Sequence, residues 1–146
     1  MIFKDAQALK HAEAWVEGLN FSDLSLKSWS EATLTETLRT YNFVFLGAGG
    51  QPMTSCVVFQ EMGPDLCEVL FLGTSPAYQG QGQMTELLEE FINRCPYDRI
   101  WLECRADNLI AQNIYRKLGF VENGQRPNYY HDGTPAILFT FFRKHR

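Results

Sequence analysis

The sequence predicts an α/β fold in which helices cover both faces of a mixed, mostly antiparallel central sheet. Three extended, apolar segments follow one another at 42–46, 53–60 and 67–73, separated by short turns that contain glycine and proline, which predicts an antiparallel meander. After residue 73, helical and extended patterns alternate along the chain. Because such alternation places helices against a sheet, the two patterns together predict a mixed sheet between helices.

The predicted elements follow from the spacing of apolar residues and from residues that begin or end helices. Helices are predicted at 6–19, 30–38, 80–94 and 108–118, with Ser30 as an N-cap and Gly119 at a helix end. In the third helix Met84 shares a stripe with Leu88 and Phe91, which predicts that Met84 is buried. Later strands are predicted at 99–104, 120–121 and 136–142. The first of these is almost continuously apolar, as expected for a strand covered on both faces.

Length and composition predict a single domain spanning residues 1–146. Of the 146 residues 45% are hydrophobic and 21% charged, and there is no repeat or low-complexity tract. The net charge of −4 and the lack of a basic stripe argue against nucleic acid as a partner and suit a cationic substrate such as an amine or a basic peptide. No apolar run reaches the length of a membrane span and the N-terminus lacks the pattern of a signal peptide, so we expect a cytoplasmic protein without a membrane partner.

The four cysteines, Cys56, Cys67, Cys95 and Cys104, are scattered through apolar segments. They form no C-x-x-C pair, and no histidine lies at ligand spacing from them. We therefore expect buried, reduced thiols, and neither a disulfide framework nor a metal site.

A candidate anion site lies between the third strand and the third helix, in the segment 75–84, which contains Gly80 and Gly82. Backbone N–H groups at a helix start converge on one point, and the helix dipole makes that point suitable for a pyrophosphate. The segment lacks the Gly-Lys-Ser/Thr of a Walker loop and the G-x-G-x-x-G of dinucleotide sites. On its residues alone, the loop is equally well explained as a tight turn that requires positive φ.

Three residues of the second half of the chain are candidates for chemistry. Glu103 lies in an apolar strand, where a carboxylate is costly unless it is paired or functional, and the residues leave open an ion pair with Arg105 or a general base. Tyr115 lies on the apolar face of its helix and is either a core residue or a proton donor. Asn108 is expected to cap the same helix.

Two motifs resemble those of the GNAT superfamily of acetyltransferases. Pro76-x-Tyr78-Gln79-x-x-Gly82 is similar to the acetyl-CoA motif of that family, Q/R-x-x-G-x-G/A, with Met84 in place of the final Gly or Ala. Asn108-x-x-Ala111-x-x-x-Tyr115-x-x-Leu118-Gly119-Phe120 is similar to the second hallmark of the family. The resemblance implies a GNAT fold and transfer of an acetyl group from acetyl-CoA to a primary amine by direct attack in a ternary complex.

The segment from Glu68 to Ile137 further resembles the RimI-type branch, whose members acetylate the N-terminal amine of a ribosomal protein. The likeness is carried by Trp101-Leu102-Glu103-x-Arg105-x-x-Asn108, by Tyr115, by Asn128-Tyr129-Tyr130 and by Ala136-Ile137. It implies that Glu103 is the general base, Tyr115 the general acid and a ribosomal-protein N-terminus the acceptor. Tyr129 and Tyr130 either line the acceptor groove or pack beside the last strand.

The resemblance also implies which residues bind acetyl-CoA. They are Leu72, Gly73, Thr74, Gln79, Gly80, Gln81, Gly82, Gln83, Met84, Thr85 and Asn108. Glu68 is a second candidate base, although a surface-facing position on its strand is preferred. Two alternatives to a protein acceptor are acetylation of a small-molecule amine and a non-catalytic module that senses acyl-CoA.

Overall fold

The computed structural model describes residues 1–23 and 26–144. The chain divides into two compact units. The first unit consists of Met1–Phe59 and Phe71–Cys95, and the second of Gln60–Leu70 and the chain from Pro96 onward. The expectation of a single domain stays a prediction.

The described elements comprise seven strands and four α-helices. The strands are β1 (Ile2–Phe3), β2 (Asn42–Ala48), β3 (Gln51–Glu61), β4 (Leu66–Thr74), β5 (Arg99–Arg105), β6 (Val121–Arg126) and β7 (Ala136–Phe142). The helices are α1 (Ala6–Glu17), α2 (Glu31–Thr40), α3 (Gln83–Arg94) and α4 (Leu109–Lys117). Strand β1 was not predicted, because a two-residue strand has no periodicity to detect.

In the first unit the strand order is β1-β2-β3-β4, with β1 antiparallel to β2 and β2 antiparallel to β3. The β2–β3 hairpin is closed by Gly49 and Gly50, whose φ angles are +58° and +78°. Such left-handed conformations at both central positions match the twist of the flanking strands, and glycine adopts them without strain. The predicted antiparallel pairing of these two segments is confirmed.

Helices lie on both faces of the sheet in the first unit. Val16 of α1 shares a buried cluster with Phe43 and Val58 of the sheet. The ring of Phe91 in α3 instead packs on Phe59, with a centroid distance of 4.9 Å. Because successive residues of a strand point to opposite faces, Val58 and Phe59 place these helices on opposite sides.

Helix α2 begins where the sequence predicts. The Ser30 hydroxyl accepts a hydrogen bond from the Thr33 backbone N–H, and the Thr33 hydroxyl accepts one from the Ser30 N–H. This reciprocal capping box satisfies two donors that a helix start would otherwise leave unpaired. Helix α3 begins at Gln83 rather than at residue 80, because the preceding glycines take left-handed conformations that an α-helix does not allow.

In the second unit the strand order is β4-β5-β7-β6. Strand β4 is parallel to β5, whereas β5 and β7, and β6 and β7, are antiparallel. Across both units the paired strands are thus mostly antiparallel, and the predicted mixed α/β architecture is confirmed.

Two predictions about burial were wrong. Strand β5 is not covered on both faces: Ile100 and Leu102 are buried, but Trp101 is 39% exposed. Met84 is only half-buried, because it lies in the first turn of α3, and the buried stripe of that helix begins at Leu87.

The prediction that the cysteines are buried is confirmed, since Cys56, Cys67, Cys95 and Cys104 all lie in the interior. Within residues 1–23 and 26–144, no helix combines the length and apolar composition needed to cross a bilayer. The same residues contain no group of three His, Cys, Asp or Glu side chains placed to bind one metal ion.

Candidate active site

The loop between β4 and α3 in the first unit forms the candidate phosphate cradle. A short 3₁₀ turn, Pro76–Tyr78, follows β4, and Gly80 and Gly82 then take φ angles of +74° and +78°. Gly82 is the N-cap of α3, and a Cβ placed at either glycine would have no neighbour within 4 Å. The first N–H groups of α3, which have no acceptor within the helix, therefore lie beside open space. This arrangement fits a pyrophosphate.

Side chains of the cradle hold the loop rather than point away from it. The Gln79 amide donates to the Thr74 carbonyl at 3.2 Å and to Asp23 Oδ2 at 3.1 Å. The Gln81 amide donates to the Ala77 carbonyl at 3.1 Å. These contacts fix the backbone whose N–H groups are proposed to meet the anion.

A buried polar network anchors the start of α3 to the sheet of the first unit. Gln83 Oε1 accepts hydrogen bonds from Thr54 Oγ1 at 2.6 Å and from Ser55 Oγ at 2.9 Å. Ser55 Oγ also lies 2.9 Å from Thr74 Oγ1 at the end of β4. This network was not predicted from the sequence. Its signal was the adjacent pair Thr54-Ser55 in an otherwise apolar strand, since buried hydroxyls need partners.

Replacement of Gln83 by alanine is expected to lower the free energy of unfolding by about 1–3 kcal/mol, because two buried hydroxyls lose their shared acceptor. Thr54 and Ser55 are both 0% exposed, so water does not readily replace the lost carbonyl. Urea denaturation measures the change. The control is Gln81→Ala, which removes an exposed side-chain hydrogen bond from the same loop. Equal unfolding midpoints for the two variants would contradict the role of the network.

The end of β4 contributes the remaining cradle residues of the first unit. A Cβ at Gly73 would lie 2.5 Å from the Phe71 ring, so the glycine is required by the packing of that ring. Leu72 and Thr74 flank it and are half-buried, as are Met84 and Thr85 at the other end of the cradle. That these residues bind the cofactor stays a prediction.

In the second unit, Glu103 pairs with Arg126 and not with Arg105. Arg126 Nε donates to Glu103 Oε1 at 2.8 Å, and the Glu103 side chain is 23% exposed. In the sheet, Glu103 of β5 lies opposite Leu138 of β7, and Arg126 of β6 lies opposite Ala136 of β7. The two charged side chains therefore lie diagonally across β7 on the same face of the sheet. Of the two alternatives that the residues left open, the ion pair with Arg105 was wrong, because strand register outweighs proximity along the chain.

Two tyrosines, Tyr129 and Tyr130, lie close to Glu103. Partial burial, the Glu103 charge and a hydrogen bond to Glu103 raise the pKa of the Tyr129 phenol. The Tyr129 ring packs edge-on against Tyr130, with a centroid distance of 5.1 Å. Burial, reinforced by Cys104 and by Glu103, raises the pKa of Tyr130 as well. The structure thus brings Glu103, Tyr129 and Tyr130 together within the second unit.

Arg105 is buried, and its guanidinium binds two carboxylates. It donates to Asp107 at 3.1 and 3.2 Å, and to Asp132 Oδ2 at 2.6 Å. The hydrogen bond from Arg105 holds the pKa of Asp132 well below its usual range. The stabilisation from this pair is therefore present above the ordinary carboxyl pKa near 3.9 and is lost as the pH falls below it. Asp132 was not predicted from the sequence, because its partner lies 27 residues away.

Helix α4 positions Asn108 and Tyr115. The Asn108 side chain accepts a hydrogen bond from the Ala111 N–H at 3.1 Å, so its predicted role as N-cap is confirmed. Tyr115 is 5% exposed and packs against Phe120 and Phe139. Burial, with Cys104 and Tyr130 nearby, raises the pKa of its phenol.

The Tyr115 hydroxyl is nevertheless left without a hydrogen-bond partner in the part of the chain that the structure describes. Because its pKa is raised, the phenol remains protonated far above neutral pH.

In the first unit, a strand, a left-handed glycine loop and an exposed helix start form an arrangement that fits a pyrophosphate. The second unit, described by itself, carries the Glu103 carboxylate and the Tyr115 phenol, two groups capable of acid–base chemistry. The chain belongs to the acetyltransferase (GNAT) family, whose sequence model matches residues 11–120. It is therefore an N-acetyltransferase, and acetyl-CoA is the donor typical of this family.

Named relatives are similar to much of the chain. N-alpha-acetyltransferase RimI of Mycobacterium tuberculosis is 32% identical over 106 residues, which are 70% of this chain and 67% of that protein. [Ribosomal protein bS18]-alanine N-acetyltransferase of Escherichia coli K12 is 34% identical over 107 residues, 70% of each chain. The crystal structure of the ribosomal-protein-S18-alanine N-acetyltransferase from E. coli superposes with a TM-score of 0.79 at 27% identity, covering 99% of this chain and 94% of that one.

Proposed function

We propose that the protein transfers the acetyl group of acetyl-CoA to the N-terminal α-amine of a protein, with a ribosomal protein as the preferred acceptor. The observation that carries the proposal is the carboxylate of Glu103, which lies on one face of the second unit with the exposed aromatic rings of Tyr129 and Trp101. Tyr129 is 51% and Trp101 39% exposed, so an extended peptide has aromatic surface to lie against. The names of the relatives at 32% and 34% identity support the same acceptor class.

We assign the phosphate cradle of the first unit to the binding of acetyl-CoA, the acetyl donor. The left-handed loop and the start of α3 direct backbone N–H groups toward the pyrophosphate, and the backbone of Leu72, Gly73 and Thr74 is proposed to pair with the pantetheine arm. Asn108 in the second unit is also assigned to cofactor binding. Bound acetyl-CoA supplies a thioester carbonyl, so that acetyl transfer forms a C–N bond and breaks a C–S bond.

The remaining residues are assigned to proton transfer and to binding of the acceptor. An α-amine has a pKa near 8 and is mostly protonated at neutral pH, so a base must take its proton before it can attack. We assign that role to Glu103. We assign to Tyr115 the donation of a proton to the departing sulfur, because its hydroxyl is protonated and unpartnered among the described residues. Tyr129 and Tyr130 are assigned to the acceptor site.

The experiment is an acceptor panel. Peptides that begin with a free alanine, the same peptides with a blocked N-terminus, and small amines are each incubated with acetyl-CoA, and thiol release and product mass are measured. We expect turnover only with the free peptides, at the α-amine. Turnover of small amines alone would overturn the protein acceptor and leave the acetyltransferase assignment intact.

Replacement of Gly82 by alanine is expected to weaken acetyl-CoA binding about 10-fold. An alanine in the left-handed conformation is disfavoured by about 1–2 kcal/mol, so the loop of the free variant moves to another conformation. Binding must then restore the left-handed conformation, which reduces the affinity. Isothermal titration calorimetry measures the affinity.

The matched control for Gly82→Ala is Gly50→Ala. Gly50 has the same φ of +78°, and a Cβ there also has no neighbour within 4 Å, but it lies in the β2–β3 hairpin. We expect a similar loss of thermal stability in both variants and a loss of affinity only in Gly82→Ala. Acetyl-pantetheine, which lacks the pyrophosphate, should bind both variants and the unaltered protein equally. An equal loss for acetyl-pantetheine would show that Gly82 does not serve a pyrophosphate site.

A further inference from the structure

The segment between β6 and β7 of the second unit, residues 127–135, carries Tyr129 and Tyr130 and is called here the acceptor loop. It holds two left-handed residues, Asn128 at φ +53° and Gly133 at φ +86°. Two backbone hydrogen bonds fold it back on itself, from the Tyr130 N–H to the Thr134 carbonyl at 3.1 Å and from the Gly133 N–H to the Tyr130 carbonyl at 2.9 Å. The loop is exposed, and Tyr129 is 51% exposed. Within the loop the Thr134 N–H also donates to Asp132 Oδ1 at 3.1 Å. Because exposed loops are more mobile than the strands that they connect, contacts from outside the loop further restrict its conformation.

Arg105, at the end of β5, makes such contacts with the acceptor loop. Its Nη2 donates to Asp132 Oδ2 at 2.6 Å and to Thr134 Oγ1 at 3.0 Å, both in the acceptor loop. Its guanidinium also lies 4.9 Å from the centre of the Tyr130 ring. The Arg105 side chain is 7% exposed and the Asp132 side chain 37% exposed, so water is excluded from the arginine end of these charge-assisted contacts but reaches the Asp132 carboxylate.

The other contacts of Arg105 fix the guanidinium itself. Asp107, just beyond β5, accepts from Nε at 3.1 Å and from Nη2 at 3.2 Å. The backbone at the same end of β5 binds the loop, because the Ala106 N–H donates to the Pro135 carbonyl at 2.9 Å. Arg105 lies two residues from Glu103 on the same strand. The position of the loop is thus tied to the strand that carries the proposed base.

We propose that Arg105 and Asp132 form a clamp that holds the acceptor loop in its binding conformation, so that both are positioning residues for the acceptor. The inference rests on the proposed function, since it takes Tyr129 and Tyr130 as acceptor contacts. The planar guanidinium is required because it binds a carboxylate and a hydroxyl of the loop while it stacks on a loop tyrosine, a combination that a lysine ammonium does not reproduce.

The test compares Asp132→Ala with Asp132→Asn and Arg105→Lys. For Asp132→Ala we expect the KM for an acceptor peptide to rise about 10-fold, as loss of a charge-assisted hydrogen bond predicts, while the KM for acetyl-CoA changes less than about 2-fold. Asp132→Asn keeps an acceptor oxygen and should restore part of the affinity. Arg105→Lys should resemble Asp132→Ala. The control is Asp107→Ala, which removes a carboxylate from the same guanidinium outside the loop and should raise the acceptor KM less.

Hydrogen–deuterium exchange of the full chain gives a readout that does not depend on turnover. In Asp132→Ala the amides of Tyr130 and Gly133 should exchange at least about 10-fold faster, because the hydrogen bonds that protect them open more often. Unchanged exchange and unchanged acceptor KM would overturn the clamp. Faster exchange with an unchanged acceptor KM would overturn the positioning role. If the unaltered protein acetylates no peptide, the proposed function fails separately, and exchange still decides whether Asp132 holds the loop.

Discussion

Replacement of Glu103 by glutamine is expected to lower kcat/KM for the acceptor amine between about 10²- and 10⁴-fold at neutral pH, the range usual for loss of a general base. The glutamine amide keeps the size of the side chain but accepts no proton. The remaining activity should rise with pH up to the pKa of the amine near 8, because the variant can use only the fraction of amine that is already neutral. Initial rates between pH 6 and 9 measure both effects.

The matched control for Glu103→Gln is Arg126→Gln, which removes the same 2.8 Å contact and leaves the carboxylate in place. Arg126 is 55% exposed, so the ion pair contributes at most about 1 kcal/mol to stability and both variants should remain folded. We expect Arg126→Gln to keep most of the activity and the original pH profile. Glu68→Gln tests the second candidate base. Loss of activity in Glu68→Gln, with none in Glu103→Gln, would transfer the role to Glu68.

Replacement of Tyr115 by phenylalanine is expected to lower kcat by about 10²-fold, the lower end of the range for general acid catalysis. The change in stability should stay within about 0.5 kcal/mol, because the variant loses a hydroxyl that has no partner among the described residues. The pH profile should keep its shape. Burial raises the pKa of the Tyr115 phenol and keeps it protonated throughout the pH range of the assay. Its ionisation therefore contributes neither the rising nor the falling part of the pH–rate profile. Steady-state kinetics and urea denaturation measure these quantities.

Tyr97→Phe is the control for Tyr115→Phe, since Tyr97 is also a buried tyrosine of the second unit and has no assigned role in the reaction. We expect its kcat to stay within about 2-fold of the unaltered protein, as for substitutions away from a site. A Tyr115→Phe variant with full kcat would show that the residue serves packing against Phe120 and Phe139 alone.

Local features of the fold were predictable because their causes lie within a few residues. The side chains of Ser30 and Asn108 begin helices by accepting hydrogen bonds from the backbone N–H groups three residues further on. Gly80 and Gly82 take the positive φ angles that a strand-to-helix loop requires. The glycine loop between β4 and α3 was therefore predicted in the right place, although α3 begins at Gln83, three residues later than expected. That this loop binds a phosphate group stays a prediction.

Partners of charged and polar side chains were not predictable. Glu103 and Arg105 lie two residues apart on one strand, which suggested an ion pair. The structure pairs Glu103 with Arg126 and Arg105 with Asp132, which lie 23 and 27 residues away. Spacing along one strand does not decide such pairs, because β7 lies between β5 and β6 and its register sets which side chains meet.

By itself the sequence determined the fold class, the position of the glycine loop between β4 and α3, the burial of the cysteines and the family to which the chain belongs. Each of these depends on periodicity, capping or a motif, which are properties of short segments. Only the tertiary structure decided that Trp101 is exposed, that Gln83 anchors its helix to Thr54 and Ser55, and that Arg105 holds the acceptor loop. These features depend on strand register and on contacts between distant segments, and neither is encoded in the spacing of neighbouring residues.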